Sequence, residues 1–174
     1  NPINETGQTF LGFDNASDIR ISLDYGLLDN LTVGIGRSKM NKLVDGNLKW
    51  KILEQTTNFS MPISLAFFSS VGYSHAPMAT IYNGVVKDFS SNELHRLNYF
   101  NQFIIASKLT DWLSLELLPS YMHRNFIKEN VNTSNNAKDE NGFFSMGFGG
   151  RIKLTKRLSF IGDYFYNVSS FYQN

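Results

Sequence analysis

The run Leu109-Thr110-Asp111-Trp112-Leu113-Ser114-Leu115 joins an apolar residue, a short polar turn and a Leu-hydroxyl-apolar step. Leu27-Leu28-Asp29-Asn30-Leu31-Thr32-Val33 and Leu154-Thr155-Lys156-Arg157-Leu158-Ser159-Phe160 repeat the pattern. The last step restarts a two-residue alternation directly after a tight connection, which is the sequence mark of the short end of a β-hairpin. The opposite ends of the alternating segments run into longer polar stretches, at 38–46, 74–92 and 128–141. Short turns at one rim and long loops at the other are the asymmetry of an outer-membrane β-barrel.

Working outward from these turns, the alternation predicts about eight antiparallel strands in an up-and-down meander. Ile19, Ile21, Leu23 and Tyr25 share one face, with Arg20, Ser22, Asp24 and Gly26 on the other. Leu31, Val33 and Ile35 continue the apolar face, followed by Leu48, Trp50 and Ile52 set against Lys49 and Lys51. A fourth strand is expected from about Met61 to Tyr73, after a short polar connection at 54–58. Leu97, Tyr99, Phe103 and Ile105 form the next apolar row, then Leu113, Leu115 and Leu117 opposite Glu116. Phe144, Met146, Phe148 and Ile152 face away from Arg151 and Lys153, and Phe160, Tyr164 and Tyr166 away from Asp163. Pro119 falls inside a strand and calls for a bulge or an unpaired site. A further short strand is expected over residues 9–13.

Composition agrees with strands. Aromatic residues make up 14% of the 174 residues and proline is scarce at 4, a balance that suits pleated, half-exposed surfaces. The absence of cysteine excludes disulfides and thiolate metal sites. A net charge of +1 gives no electrostatic case for nucleic acid. The mean hydropathy is slightly negative, which is compatible with a membrane barrel because only every second strand residue meets lipid. No apolar run reaches the roughly 18 residues of a transmembrane helix. Without an initiator Met or a signal peptide, the chain reads as a mature or internal segment, and residues 1–174 as one barrel domain.

Alternation alone leaves open which face is inside. A soluble, lipocalin-like ligand-binding barrel would turn the apolar face inward, and a membrane barrel would turn it to lipid. Bulky Leu, Ile, Phe, Trp and Tyr dominate one face, and Gly and Ser recur on the other, as a concave interior requires. Tyr25, Trp112, Tyr121, Tyr164, Tyr166 and Tyr172 gather near strand ends, where headgroups lie. The membrane barrel is therefore the expectation, with placement in the bacterial outer membrane and contact with its lipid and lipopolysaccharide. A continuation past Asn174 into a barrel of about twelve strands is the alternative to closure at eight.

Several blocks are similar to a known family. Residues 13–26 (FDNASDIRISLDYG), 31–38 (LTVGIGRS), 45–51 (DGNLKWK), 118–125 (LPSYMHRN) and 149–157 (GGRIKLTKR) resemble, in order, an outer-membrane β-barrel family of the Bacteroidota whose function is unknown. The resemblance implies an outer-membrane location and supplies no activity. Family members continue for several more strands.

Candidate chemistry is sparse. His95-Arg96 and His123-Arg124 lie at similar distances from the turn at Thr110-Asp111, so hairpin pairing sets them across from each other near the long-loop rim. A rim His could serve a lipid hydrolase if a serine and an acid joined it. No nucleophile motif accompanies the pair, so a hydrogen-bonded rim cluster, or arginines on anionic headgroups, is preferred. Catalytic residues, metal ligands and cofactors are expected to be absent. Arg20, Asp24, Lys49, Lys51, Glu116, Arg151, Lys153 and Asp163 make up the lumen-facing charges. In a narrow barrel of about eight strands they would meet and neutralise one another, leaving no large open channel. Gly34, Gly36, Gly147 and Gly149 either bend strands or make room for large inward neighbours. The resulting expectation is a structural or transport-like barrel without catalysis, working beside a periplasmic or lipoprotein partner.

Overall fold

The computed structural model describes residues 19–82, 85–89, 91–127 and 139–169. The strand expected over residues 9–13, most of the loop at 128–141, and Tyr172 lie outside the described residues. Ten strands are present among the described residues: β1 (Arg20–Leu28), β2 (Leu31–Ser38), β3 (Leu43–Leu53), β4 (Ser64–Ser74), β5 (Ala79–Tyr82), β6 (Val85–Asp88), β7 (Leu97–Lys108), β8 (Leu113–Arg124), β9 (Gly142–Lys153) and β10 (Ser159–Asn167). Eight of them form one antiparallel sheet in the order β1-β2-β3-β4-β7-β8-β9-β10, and β5 pairs only with β6 as a hairpin in the β4–β7 connection. Each sheet strand lies beside its predecessor in that order, as an up-and-down meander demands.

The register sorts every side chain onto one of two faces. Ile21, Leu23, Tyr25, Val33, Ile35, Leu48, Trp50, Phe67, Phe103, Leu115, Phe148, Ile152, Phe160 and Tyr164 share the outer face through successive cross-strand pairs. Many are more than half exposed: Ile21 75%, Leu23 73%, Phe160 66%. The buried strand residues Gly36, Ser38, Asp45, Gly72, Ser74, Leu118, Ser120 and Gly147 all lie on the other face. Among the described residues no second layer covers that face, so its crowding comes from the sheet curling toward it.

The described residues bury only two hydrophobic side chains, Met78 and Leu118. Ordering the backbone costs about 1–2 kcal/mol per residue, and a soluble domain offsets this by burying apolar area at roughly 25 cal/mol per Å². With the apolar face turned outward, that offset is available only if the surroundings are themselves apolar. The lipocalin-like alternative, which needs the apolar face inside, is thereby excluded. Strands β3, β4, β7, β8 and β9 run 11 or 12 residues, enough for a tilted strand to cross a bilayer. Among the described residues, no helix is long and apolar enough to do so.

Three details depart from the sequence-based expectation. The sheet is open: β1 and β10 are its edges and do not pair with each other among the described residues. Every residue of β1 is exposed on both faces, as is most of β10. The polar stretch at 38–46 is mostly strand, because Ser38 ends β2, Leu43 begins β3, and a 3-10 turn at Met40–Lys42 joins them. The long-loop and short-turn rims are also less distinct than expected. The β2–β3 turn on the long-loop rim is tight, and the β3–β4 connection on the other rim spans 54–63, since β4 starts at Ser64 rather than Met61. There the amide N–H of Gln55 donates to Ser64 Oγ (3.0 Å) and that of Thr56 to the Met61 carbonyl (3.1 Å), ordering a compact loop. Of the bulge or unpaired site expected at Pro119, the structure shows the unpaired site. The β7–β8 ladder omits Phe103 and Ile104 opposite Leu118 and Pro119, while the register is unchanged on either side. Proline simply lacks the N–H that a ladder site uses.

Candidate functional site

The inner face is the candidate site, and its best-defined feature spans three strands. Arg20 on β1 lies opposite Ser38 on β2, one inward position away from Gly36, and Gly36 pairs with Asp45 on β3. The Arg20 guanidinium reaches over Gly36 to donate to both Asp45 oxygens, at 2.5 and 2.6 Å. A Cβ at Gly36 would sit 2.5 Å from Arg20 Nη2 and 2.8 Å from its Cζ, so only glycine leaves the path clear. The Asp45 side chain is 7% exposed and that of Arg20 42%. The geometry is the two-pronged match of guanidinium to carboxylate, which strengthens and orients the pair.

Gly34, Gly147 and Gly149 on the inner face have the same role. A Cβ at Gly34 would collide with Asp24, one at Gly149 with Glu116, and one at Gly147 would lie 2.5 Å from the Phe165 ring and 2.8 Å from Leu118 Cβ. Of the two roles expected for these glycines, room for large neighbours is what the contacts support.

The register puts all eight predicted lumen charges on the inner face. Arg20 and Asp24 align with Ser38 and Gly34, and Lys49 and Lys51 with Phe68 and Ala66. Glu116 aligns with Gly149, Arg151 and Lys153 with Ile161 and Ser159, and Asp163 with Gly149. Among the described residues no salt bridge joins two of them. Arg20 is bound to Asp45, and Lys51 to Glu54 at 2.6 Å, neither of these acids being among the eight. Arg151 contacts the Ser159 hydroxyl at 3.4 Å. Among the described residues, no salt bridge engages Asp24, Lys49, Glu116, Arg151, Lys153 or Asp163. The open sheet supplies no opposite wall, and the neutralisation expected in a closed, narrow lumen is not present among the described residues.

Beside the Arg20–Asp45 pair lies a cleft of about 330 Å³, lined by Leu43, Phe68, Phe100 and Met122 together with the pair itself. Phe68 and Phe100 meet edge to face, with centroids 6.1 Å apart. The inner face thus carries an apolar band across β4, β7 and β8 as well as the expected Gly and Ser. Asp45 is not apparent from the sequence because the polar stretch at 38–46 reads as a loop. The spacing of Asp45, Asn47, Lys49 and Lys51 on one alternating row was the signal that could have found it.

The rim histidines and arginines are drawn together only in part. β7 and β8 do set the segments across from each other, with Tyr99 opposite His123 and Asn98 opposite Arg124. His123, however, faces outward with Tyr99 and Tyr121, at ring distances of 6.3 and 6.5 Å. His95 sits in the 3-10 turn Glu93–Arg96 against Phe89 and Phe126, so the two imidazoles belong to different aromatic clusters. Arg96 donates to the Ser74 and Ala76 carbonyls at 3.1 and 3.3 Å and lies 3.6 Å from Glu93. Arg124 binds Asp139 at 2.7 Å and the Glu140 carbonyl at 2.9 Å. Both arginines thus brace loops rather than lipid. Among the described residues, no group of three or more His, Cys, Asp or Glu is placed to hold a metal ion.

An open meander with an apolar outer face, a small-residue and charged inner face and a braced loop rim defines a membrane β-barrel domain. Residues 1–174 match the family described as a membrane bound beta barrel domain (DUF5777), and the chain belongs to that family. No curated protein and no solved structure matches it.

Proposed function

We propose that this domain forms the wall of a bacterial outer-membrane β-barrel with a structural or transport-like role and no catalytic chemistry. The observation that carries this is the inversion of the sheet, with apolar residues exposed outside and polar, charged and small residues crowded inside. Of the two roles, the inner face favours the transport-like one. Lys49, Arg151 and Lys153 stand with Asp24, Glu116 and Asp163 as a wall of both signs that hydrates rather than cancels, which suits passage of small polar solutes. Absence of catalysis is supported by the fate of the rim group, since His123 lies among outward aromatic rings and Arg96 and Arg124 are committed to loop contacts. Outer-membrane lipid and lipopolysaccharide would cover the outer face, and a periplasmic or lipoprotein partner would meet one rim.

The test is to assay the purified full chain for phospholipid and ester hydrolysis and, in planar bilayers, for conductance. Expected are no hydrolysis and small conductance steps that lose amplitude or change ion preference in K49E. Hydrolysis abolished by H123A would overturn the non-catalytic assignment. A persistently silent bilayer would overturn the transport-like one in favour of the structural role.

A further inference from the structure

The outer face is almost free of charge, and its one cluster of cations sits at a turn that is braced from β4. Among the described residues no acidic side chain lies on the outer face of any sheet strand, and the sole charged side chain there is Arg37. Arg37 is exposed at the end of β2. Lys39 opens the turn that follows, its amide donating to the Ile19 carbonyl at 2.9 Å beside the outward Ile19. Lys42 lies across the turn. Among the described residues no salt bridge engages any of the three.

The turn that carries them is built rather than slack. Asn41 and Lys42 have φ of 54° and 46°, a left-handed conformation that residues other than glycine seldom adopt. Both carbonyls are held from β4. Ser74 Oγ donates to the Asn41 oxygen at 3.0 Å, and His75 approaches the Lys42 oxygen with its amide at 3.4 Å and its Nδ1 at 3.2 Å. The backbone that carries the three cations is thus fixed, a preorganisation that lowers the cost of binding a ligand.

The depth of this edge is marked by its neighbours. Arg37 pairs with Val44, and Val44 with Tyr73. Tyr73 packs on His75 with ring centroids 4.8 Å apart. The same rim continues on the outer face through Tyr99, His123, Tyr121 and Phe144, with Tyr121 and Phe144 4.7 Å apart. Such a row of amphipathic rings settles at the boundary between hydrocarbon and headgroups. Directly below Arg37, Ile35 is 59% exposed on the lipid face.

We propose that Arg37, Lys39 and Lys42 form a binding site for the phosphate groups of membrane lipids at the long-loop rim. The complementarity is of charge and of place. Three cations without carboxylate partners stand at headgroup depth, on a face otherwise made for acyl chains, and guanidinium and ammonium groups bind phosphate oxygens with charge-assisted hydrogen bonds. The site deepens the membrane-wall reading above and rests on it. It assigns the lipid contact to the β2–β3 turn instead of the rim arginines Arg96 and Arg124, whose guanidinium groups are already used.

Native mass spectrometry of the full chain, released from micelles containing equal amounts of phosphatidic acid and phosphatidylcholine, tests the site. The wild-type chain should retain phosphatidic acid on the order of tenfold over phosphatidylcholine, as expected for a preorganised cluster of charge-assisted contacts. The triple variant R37Q/K39Q/K42Q should lose that preference. K156Q/R157Q, which removes two exposed cations from the β9–β10 turn at the opposite rim, should keep it. R37Q alone, the mildest change, should reduce it, and a heat-shifted gel band checks that each variant is folded. Equal loss in both multiple variants would show a net-charge effect and overturn the site. Millimolar inorganic phosphate displacing all the retained phosphatidic acid would replace the lipid site by a simple ion site. Retention of both lipids without preference refutes the site alone, whereas retention of neither refutes the membrane-wall reading with it.

Discussion

Replacing Gly36 by valine should break the Arg20–Asp45 pair without touching either partner. The new Cβ would lie 2.5 Å from Arg20 Nη2 and 2.8 Å from Cζ, well inside van der Waals contact, and the branched γ-carbons close the path that a lone methyl would only narrow. The guanidinium must leave the Asp45 carboxylate, whose side chain is 7% exposed. Stranding a buried charge costs about 3–5 kcal/mol when both partners are buried. Arg20 is 42% exposed and regains water on release, so the expected loss is about 2–3 kcal/mol. The assay is urea-driven unfolding of the full chain from lipid vesicles, followed by tryptophan emission. In an R20M/D45N background no charge pair remains, and the same Gly36→Val change should cost less than about 1 kcal/mol. A loss from Gly36→Val that is equally large in both backgrounds would refute the proposed role of Gly36 as the floor beneath the pair.

Two other outcomes follow from the same contacts. In the turn after β7, Lys108 Nζ hydrogen-bonds Asp111 Oδ1 at 2.8 Å and holds its carboxyl below the usual carboxylate range. Its contribution to stability is complete above the ordinary, unfolded-state value and is lost as pH falls through the lower folded one. NMR titration of Asp111 should show the depressed midpoint, and Lys108→Met should move it up toward the ordinary value, with Lys153 still holding it down slightly. At the other rim, Arg124→Ala leaves the Asp139 carboxylate, 7% exposed, without its cation, and should cost about 2–3 kcal/mol in the same urea assay. Asp139→Asn should cost less, because an amide needs no counter-charge, and the reverse order would contradict the assigned roles.

The meander and the two faces were legible because period-two alternation survives in nearly every strand, and each slip of register would have moved Leu, Ile or Phe to the inner face. The Leu-hydroxyl-apolar repeat located three turns, each of which the structure shows as a tight β1–β2, β7–β8 or β9–β10 connection. Asp45 was hidden because Ser38, Lys39, Asn41 and Lys42 resemble loop residues. Two of these, Asn41 and Lys42, do adopt left-handed backbone, but the strand resumes at Leu43, one residue later. The ten-residue Glu54–Ile63 connection was underestimated because Met61 and Ile63 continue the apolar rhythm without pairing. Charge partners were the least legible feature. Arg20 meets Asp45 two strands away, and Arg124 meets Asp139 across a long loop, relations that depend on three-dimensional curl and loop closure rather than on spacing along a strand.

The central claim is that the apolar face lies in lipid, and β9 tests it most directly. The chain contains no cysteine, so single cysteines at 143, 144, 145, 146, 148, 151 and 152 can each carry a spin label in the vesicle-reconstituted protein. Collision with oxygen, which concentrates in the hydrocarbon, is compared with collision with a water-soluble nickel chelate. A two-residue alternation is expected. Labels replacing Phe144, Met146, Phe148 and Ile152 should favour oxygen, and those replacing Phe143, Ser145 and Arg151 the chelate. Preference for the chelate at Phe144, Phe148 and Ile152, or the same ratio at every site, would contradict it.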